Sequence, residues 1–164
     1  MDVAACQGGF SVPDINLGPV PECVEAGNTS NNPTGQGCTA ANLCALGFHL
    51  CQSGAEVGAK AKSQQCPTDT GADAFWLTAQ SLNAAGNSCD DPTENNVVGC
   101  GDIGPQVGVG WNCGPLTHYL SEVQCGDSPR AGIPPWQCVN GGATEANTIS
   151  KPDPAKGGVL CCRD

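Results

Sequence analysis

Apolar residues in this chain come in short, separated runs, and the period changes from one run to the next. Phe48-His49-Leu50-Cys51 predicts a brief strand. Ser53 with Glu56 three residues on has capping-box spacing and predicts a helix over 54–63, with Ala55, Val57, Ala59 and Ala61 as a slim buried face. Phe75-Trp76-Leu77-Thr78 is the strongest strand signal. Its apolar residues fall on both faces, which predicts a central strand covered on both sides. Residues 83–114 show no period; Gly, Asn, Asp and Pro dominate, punctuated by Cys89, Cys100 and Cys113. A stretch that long without regular structure is usually functional or stapled by disulfides. Leu116, Leu120 and Val123 predict a short helix over 115–124, and Gly158-Val-Leu-Cys-Cys162 a short apolar strand. Before Cys38, Pro13, Pro19, Pro21 and Pro33 disfavour regular structure. Residues 1–37 therefore read as a Pro/Gly/Asn-rich arm tied by disulfides through Cys6 and Cys23 to a body over 38–164.

Composition changes how that pattern is read. Val, Ile, Leu and Phe together number 28 of 164 residues, beside 23 Gly and 13 Pro. So little aliphatic surface at a net charge of −10 would indicate disorder. The 13 cysteines reverse this, because disulfides hold chains that cannot build a large core. They are Cys6, Cys23, Cys38, Cys44, Cys51, Cys66, Cys89, Cys100, Cys113, Cys125, Cys138, Cys161 and Cys162. Six disulfides leave one thiol over, open to self-association or polymer assembly or else buried and inert. Helical bundles, coiled coils and parallel α/β enzymes are excluded by the lack of Leu- and Ile-rich segments. Membrane insertion is excluded by the lack of any apolar run near the ~18 residues a span requires. What remains is a small disulfide-rich α+β domain with few short strands, one or two short helices and a long loop region. Such cysteine use implies a secreted chain, extracellular or at a cell surface, and the polar lead after Met1 reads as a mature form.

Charge narrows the partners. Between Lys62 and Arg130 lie 67 residues without Lys or Arg, among them Asp69, Asp73, Asp90, Asp91, Glu94, Asp102, Glu122 and Asp127. Nucleic acid and anionic membranes need clustered basic groups and are disfavoured on that ground.

The order of landmarks resembles the C-type-lectin-like domain, in a divergent, bacterial-type variant. Cys44-Ala-Leu-Gly-Phe-His-Leu-Cys-Gln-Ser-Gly-Ala-Glu-Val57 is similar to the opening of that fold. Phe75-Trp76-Leu77 resembles its central strand, Trp111-Asn112 the close of its long loop, and Val159-Leu160-Cys161 its last strand. The resemblance covers 38–164. It implies that the Cys of the last strand bonds back to the start of the domain. A bridge from Cys44 or Cys51 to Cys161 or Cys162 would stabilise by about 4–5 kcal/mol on a chain-entropy estimate. The sequence departs from the family at Cys113, which stands where an Asp follows Trp-Asn. It also has neither the Glu-Pro-Asn nor the Gln-Pro-Asp triplet through which sugar-binding members hold Ca²⁺.

Candidate chemistry gathers in the long loop. Asp90, Asp91, Glu94 and Asp102 are candidate ligands of one Ca²⁺, with a solvated acidic loop as the competing reading. Asn95, Asn96, Trp111, Asn112 and Trp136 are candidate ligand-binding residues, the two Trp as a stacking platform or as core plugs. His49 is expected to pack on its strand and His118 on a helix surface. Neither has the setting of a zinc site or of a Cys–His nucleophile, and no Gly-x-Ser-x-Gly is present. The expectation is a non-enzymatic adhesion module binding an extracellular protein or glycan; the alternative is a structural subunit of an extracellular filament or surface coat.

Overall fold

A computed structural model describes residues 2–23, 28–62, 66, 74–83, 88–89, 96–121, 136–138 and 145–164. Its architecture is mixed α+β. The strands are β1 (Val3–Gln7), β2 (Phe48–Leu50), β3 (Phe75–Leu82), β4 (Asn96–Gly101), β5 (His118–Leu120), β6 (Gln137–Cys138), β7 (Ile149–Ser150) and β8 (Gly157–Arg163). The helices are α1 (Gly54–Ala61), α2 (Glu145–Thr148) and a 3₁₀ turn, Ala40–Leu43. The main sheet runs β1-β8-β3-β4-β5 with β2 also on β8, and β6 pairs with β7 apart from it.

Both faces of this sheet are covered. Successive residues of a strand point to opposite sides, and the core divides accordingly. Phe75, Leu77, Val97, Val159 and Cys161 pack on one face with Phe10, Leu43, Trp136 and Ile149. Trp76, Val98, Cys100, Leu160 and Cys162 pack on the other with Val57, Ala61 and Leu116. The unbroken apolar run at 75–78 is the signature of that double covering, and β3 is central as expected. Each such side chain contributes about 1.5–3 kcal/mol of burial.

Helix α1 begins where Ser53 predicts. The Ser53 side chain accepts from the Glu56 N–H at 3.1 Å, while the Glu56 carboxylate reaches one residue further back, to the Gln52 N–H at 2.7 Å. The helix ends at Ala61, two residues earlier than expected, with Lys62 left-handed after it. Its buried face is Gly54, Val57 and Ala61, while Ala55 and Ala59 are exposed. The predicted face had the two-residue spacing of a strand, whereas a helix buries positions three and four apart.

Three further expectations are corrected. Residues 96–101, read as part of a structureless stretch, form β4. Residues 118–120 form β5 and not a helix, with His118 opposite Gly99. The segment 1–37 contributes a regular strand, β1, paired along its whole length with β8, and buries Phe10 and Ile15 in the core.

Five disulfides are complete among the described residues: Cys23–Cys38, Cys44–Cys161, Cys51–Cys162, Cys66–Cys100 and Cys89–Cys113. Cys138 is disulfide-bonded as well, Cys6 is a free thiol, and Cys125 lies outside the described residues. The long closure expected at β8 is therefore made twice, by neighbouring cysteines facing opposite sides of the sheet. The arm is tied by one disulfide, Cys23–Cys38, and by strand pairing. Asn28, which heads an Asn-Thr-Ser triplet, closes on Gly9, accepting from its N–H at 2.5 Å and donating to its carbonyl at 2.9 Å.

Candidate functional site

The segment 102–117 leaves the sheet after β4 and returns into β5. Its base is closely bonded. The Thr117 N–H donates to the Gly99 carbonyl at 3.0 Å, the Val107 N–H to Thr117 at 2.9 Å, and the Tyr119 N–H to Pro105 at 3.1 Å. Residues 105–107 thereby cover the outer edge of β5, with Gln106 bridged to His118. Cys113, fully buried and bonded to Cys89, pins the other side.

The tip is what solvent meets. Val109 is fully exposed, and Trp111 is half-buried with its ring 6.4 Å from that of Tyr119. Gly108 lies against the indole, where a Cβ would collide with the ring. Asn112 is exposed beside it. Trp111 and Asn112 thus stand together on one loop.

The other sequence candidates are placed elsewhere. Trp136 is 1% exposed and plugs the core, edge-on to Phe75 at 5.5 Å and Phe10 at 6.4 Å, so it shares no platform with Trp111. Asn96 is buried at the end of β4 away from the loop, opposite Leu82. Asp102 serves the fold: its carboxylate accepts the Ala74 N–H at 2.7 Å and its own N–H donates to the Ala74 carbonyl at 3.0 Å. Asn95, Asp90, Asp91 and Glu94 lie outside the described residues. Among the described residues no three or more of His, Cys, Asp and Glu are grouped so as to hold a metal. The Ala74 bond occupies Oδ1 of Asp102, so of the four candidate Ca²⁺ ligands only this one has a described setting.

An open groove of about 470 Å³ runs between residues 15–19 and β2, lined by Ile15, Leu17, Phe48, His49, Gln52 and Asp164 among others. His49 bridges two carboxylates, Asp164 at 2.6 Å through Nδ1 and Glu56 at 2.9 Å through Nε2. The Asp164 hydrogen bond raises the His49 pKa above its ordinary value, against the opposing effect of burial. Burial pushes the Glu56 carboxyl up, but the Gln52 N–H, His49 and Lys60 together bring it below its ordinary range. With both ring nitrogens taken by carboxylates, His49 in this arrangement offers no lone pair to a substrate proton or a metal. The group is an electrostatic clasp joining β2, α1 and the end of β8. His118 is different: burial lowers its pKa, partly countered by Asp102, and Thr117 meets its Nδ1 at 2.9 Å.

The sequence reading missed Lys151. It is wholly buried, donates to the carbonyls of Gly8 at 2.9 Å and Asp153 at 2.6 Å, and lies 5.6 Å from the centre of the Trp136 ring. Desolvation pulls its pKa down to about 7. Nothing in Ile149-Ser150-Lys151-Pro152 marks a buried lysine, since the Gly8 carbonyl and the Trp136 ring that receive it lie elsewhere in the chain and only the Asp153 carbonyl is local.

No protein-family model matches the chain, and neither the curated proteins nor the solved structures contain a match. The reading of function rests on the residues themselves. The disulfides fit an oxidising environment, and no helix among the described residues is long and apolar enough to cross a membrane.

Proposed function

We propose that the chain is a secreted, non-catalytic binding module of the C-type-lectin-like kind that captures an extracellular protein or glycan through the 102–117 loop. The observation that carries this reading is a fully exposed Val109 with a half-buried Trp111 on a loop whose base is fixed by sheet hydrogen bonds and by Cys89–Cys113. A loop ordered before binding loses little conformational freedom on capture, and Trp and Tyr are the side chains that most often dominate binding energy. The lectin-like part draws support from Cys44–Cys161, a last-strand cysteine returning to the domain's start, and from β3 at the centre of the sheet. The lost sugar triplet favours a protein partner over a sugar held through Ca²⁺. A filament subunit would offer two different free edges for open-ended growth, and the covering of β5 by residues 105–107 speaks for the binding module.

The test is an array of immobilised glycans and extracellular matrix proteins probed with the full chain, with and without EDTA. A binding partner whose signal falls about 30-fold with Trp111→Ala, measured well below the melting temperature of that variant, supports the assignment. Binding indifferent to both Trp111→Ala and Val109→Asp moves the site off this loop.

A further inference from the structure

The other edge of the main sheet is finished differently from β5. β1 pairs with β8 on one side only. The Arg163 N–H donates to the Asp2 carbonyl and the Gly8 N–H to the Gly157 carbonyl, so the even-numbered residues of β1 direct their backbone groups inward to β8. Val3, Ala5 and Gln7 direct theirs outward, and no backbone partner meets them among the described residues. Residues 3–7, Val-Ala-Ala-Cys-Gln, contain no charge and no proline, the devices that usually keep an open edge from pairing. The edge stops at Gly9, whose outward groups are closed by Asn28. On this strand sits the free thiol, Cys6, partly exposed.

We propose that β1 is a self-docking edge: two copies of the chain pair antiparallel through residues 5–7 and are locked by a disulfide between their Cys6 residues. The strand parity makes the two features one. If Ala5 and Gln7 bond outward, Cys6 falls at a non-hydrogen-bonded position of the new pairing. A two-fold axis through that position sets the two Cys6 residues directly opposite each other. Directly opposed residues at such positions have Cα atoms about 4.5 Å apart, within the roughly 4.4–6.8 Å span of disulfides. Ala5 then faces Gln7 of the second copy, with hydrogen bonds exchanged at each such pair. A three-residue overlap covers far less than the roughly 1,200 Å² of a stable interface, so the strands align the thiols and the covalent bond holds the pair. Because both copies use the same edge, the assembly closes at two chains and does not grow into a fibre.

The oxidant is a small-molecule disulfide of an oxidising compartment. One Cys6 thiolate attacks it, releasing one small thiol and leaving a mixed disulfide. The second Cys6 thiolate then displaces the other small thiol, so two protein thiols become one disulfide as one small disulfide becomes two thiols. Burial of Cys6 against the core raises its pKa, which makes exchange slow and alignment by the strand important.

The experiment uses the full chain at increasing concentration in mixed oxidised and reduced glutathione, read by non-reducing electrophoresis and intact mass. The expected product is a reducible dimer that stops at two chains and is absent in Cys6→Ser. Ala5→Lys/Gln7→Lys keeps the thiol but sets Lys against Lys at both facing pairs, and slows dimerisation about tenfold or more. Mixing it with Ala5→Glu/Gln7→Glu yields mainly the mixed dimer. Both positions are exposed, so an unchanged melting temperature certifies the fold of these variants. A chain that only gains glutathione, a dimer that survives Cys6→Ser, or a Lys variant dimerising at the parental rate would each overturn the proposal. None of these outcomes depends on the 102–117 loop.

Discussion

The main sheet is held by different means at its two ends. On the β1–β8–β2 side closure is long-range: Cys44–Cys161 and Cys51–Cys162 span 117 and 111 residues, and Lys151 ties its own segment to Gly8. On the β4–β5 side closure is local: Cys89–Cys113 spans 24 residues, and Asp102 is clasped to Ala74. The first side gathers distant parts of the chain and concentrates stability there. The second keeps a loop rigid at its base while its apolar tip stays in water. Long-range closure and an exposed loop tip thus lie at different ends of one sheet, and substitutions at the two ends should differ in their effects.

The two β8 bridges give the largest effect. They close almost the same loop, so they are strongly coupled. Replacing Cys44 and Cys161 by Ala should cost only about 2–3 kcal/mol, because the surviving bridge still closes the chain; removing both should cost about 7 kcal/mol. Cys89→Ala/Cys113→Ala should cost about 3–4 kcal/mol whichever β8 bridge is present. Urea unfolding measures all three. Two β8 losses that simply add would show that the bridges constrain separate parts of the chain.

The two tryptophans sharpen the comparison at single residues. Trp136→Ala opens a cavity among Phe10, Phe75 and Lys151 and should cost about 3–5 kcal/mol. Trp111→Ala removes a half-buried ring and should cost about 1–2 kcal/mol. Thermal melts of the two variants decide this, and equal losses would erase the distinction drawn between core and loop.

Lys151 extends the contrast to pH. Its folded pKa lies near 7, below the ordinary lysine value of 10.5, so the unfolded chain binds more protons between those values. Stability should therefore rise with pH across that window, by up to roughly 3–4 kcal/mol from this group. In Lys151→Met the contribution vanishes, so wild type should gain on the variant from pH 7 to 10. A gap constant over that range would mean that the buried ammonium carries no such penalty.

How much of this was legible in the sequence follows the range of each interaction. The Ser53–Glu56 cap, the doubly apolar 75–78 run and the Cys161-Cys162 pair are local signals, and each marks a real element. β4 was hidden by Gly99 and Gly101, residues depleted in strands. Here a Cβ at either would collide with the backbone of β3 or of Ala74 just before it, so close strand approach selects Gly. β5 was hidden by Leu116 and Leu120, whose four-residue spacing suggests a helix; the two are buried on opposite faces of the sheet. β1 is a short Ala-containing edge whose pairing with β8 lies more than 150 residues away in sequence. Of the site, the Trp111-Asn112 pair was legible as a loop motif. The burial of Trp136 and the use of Asp102 as a strand clasp depend on partners no local pattern reveals.

The smallest effect belongs to the clasp at His49, where β2, α1 and the end of β8 meet. Its sign follows from two opposed shifts. The His49 pKa is raised, so its contribution is fully present below about 6.5 and is lost as pH rises through the folded value. The Glu56 pKa is lowered, so its contribution is present above about 4.5 and is lost as pH falls through the folded value. The clasp is therefore strongest between about pH 4.5 and 6.5. His49 is over a third exposed, which screens the pair and limits it to under about 1 kcal/mol. Wild type minus His49→Gln, followed by chemical denaturation from pH 4 to 9, should give a difference that peaks inside that window and shrinks on both sides. A difference growing steadily toward alkaline pH would mean that His49 stabilises as the neutral ring, through packing and not through the two carboxylates.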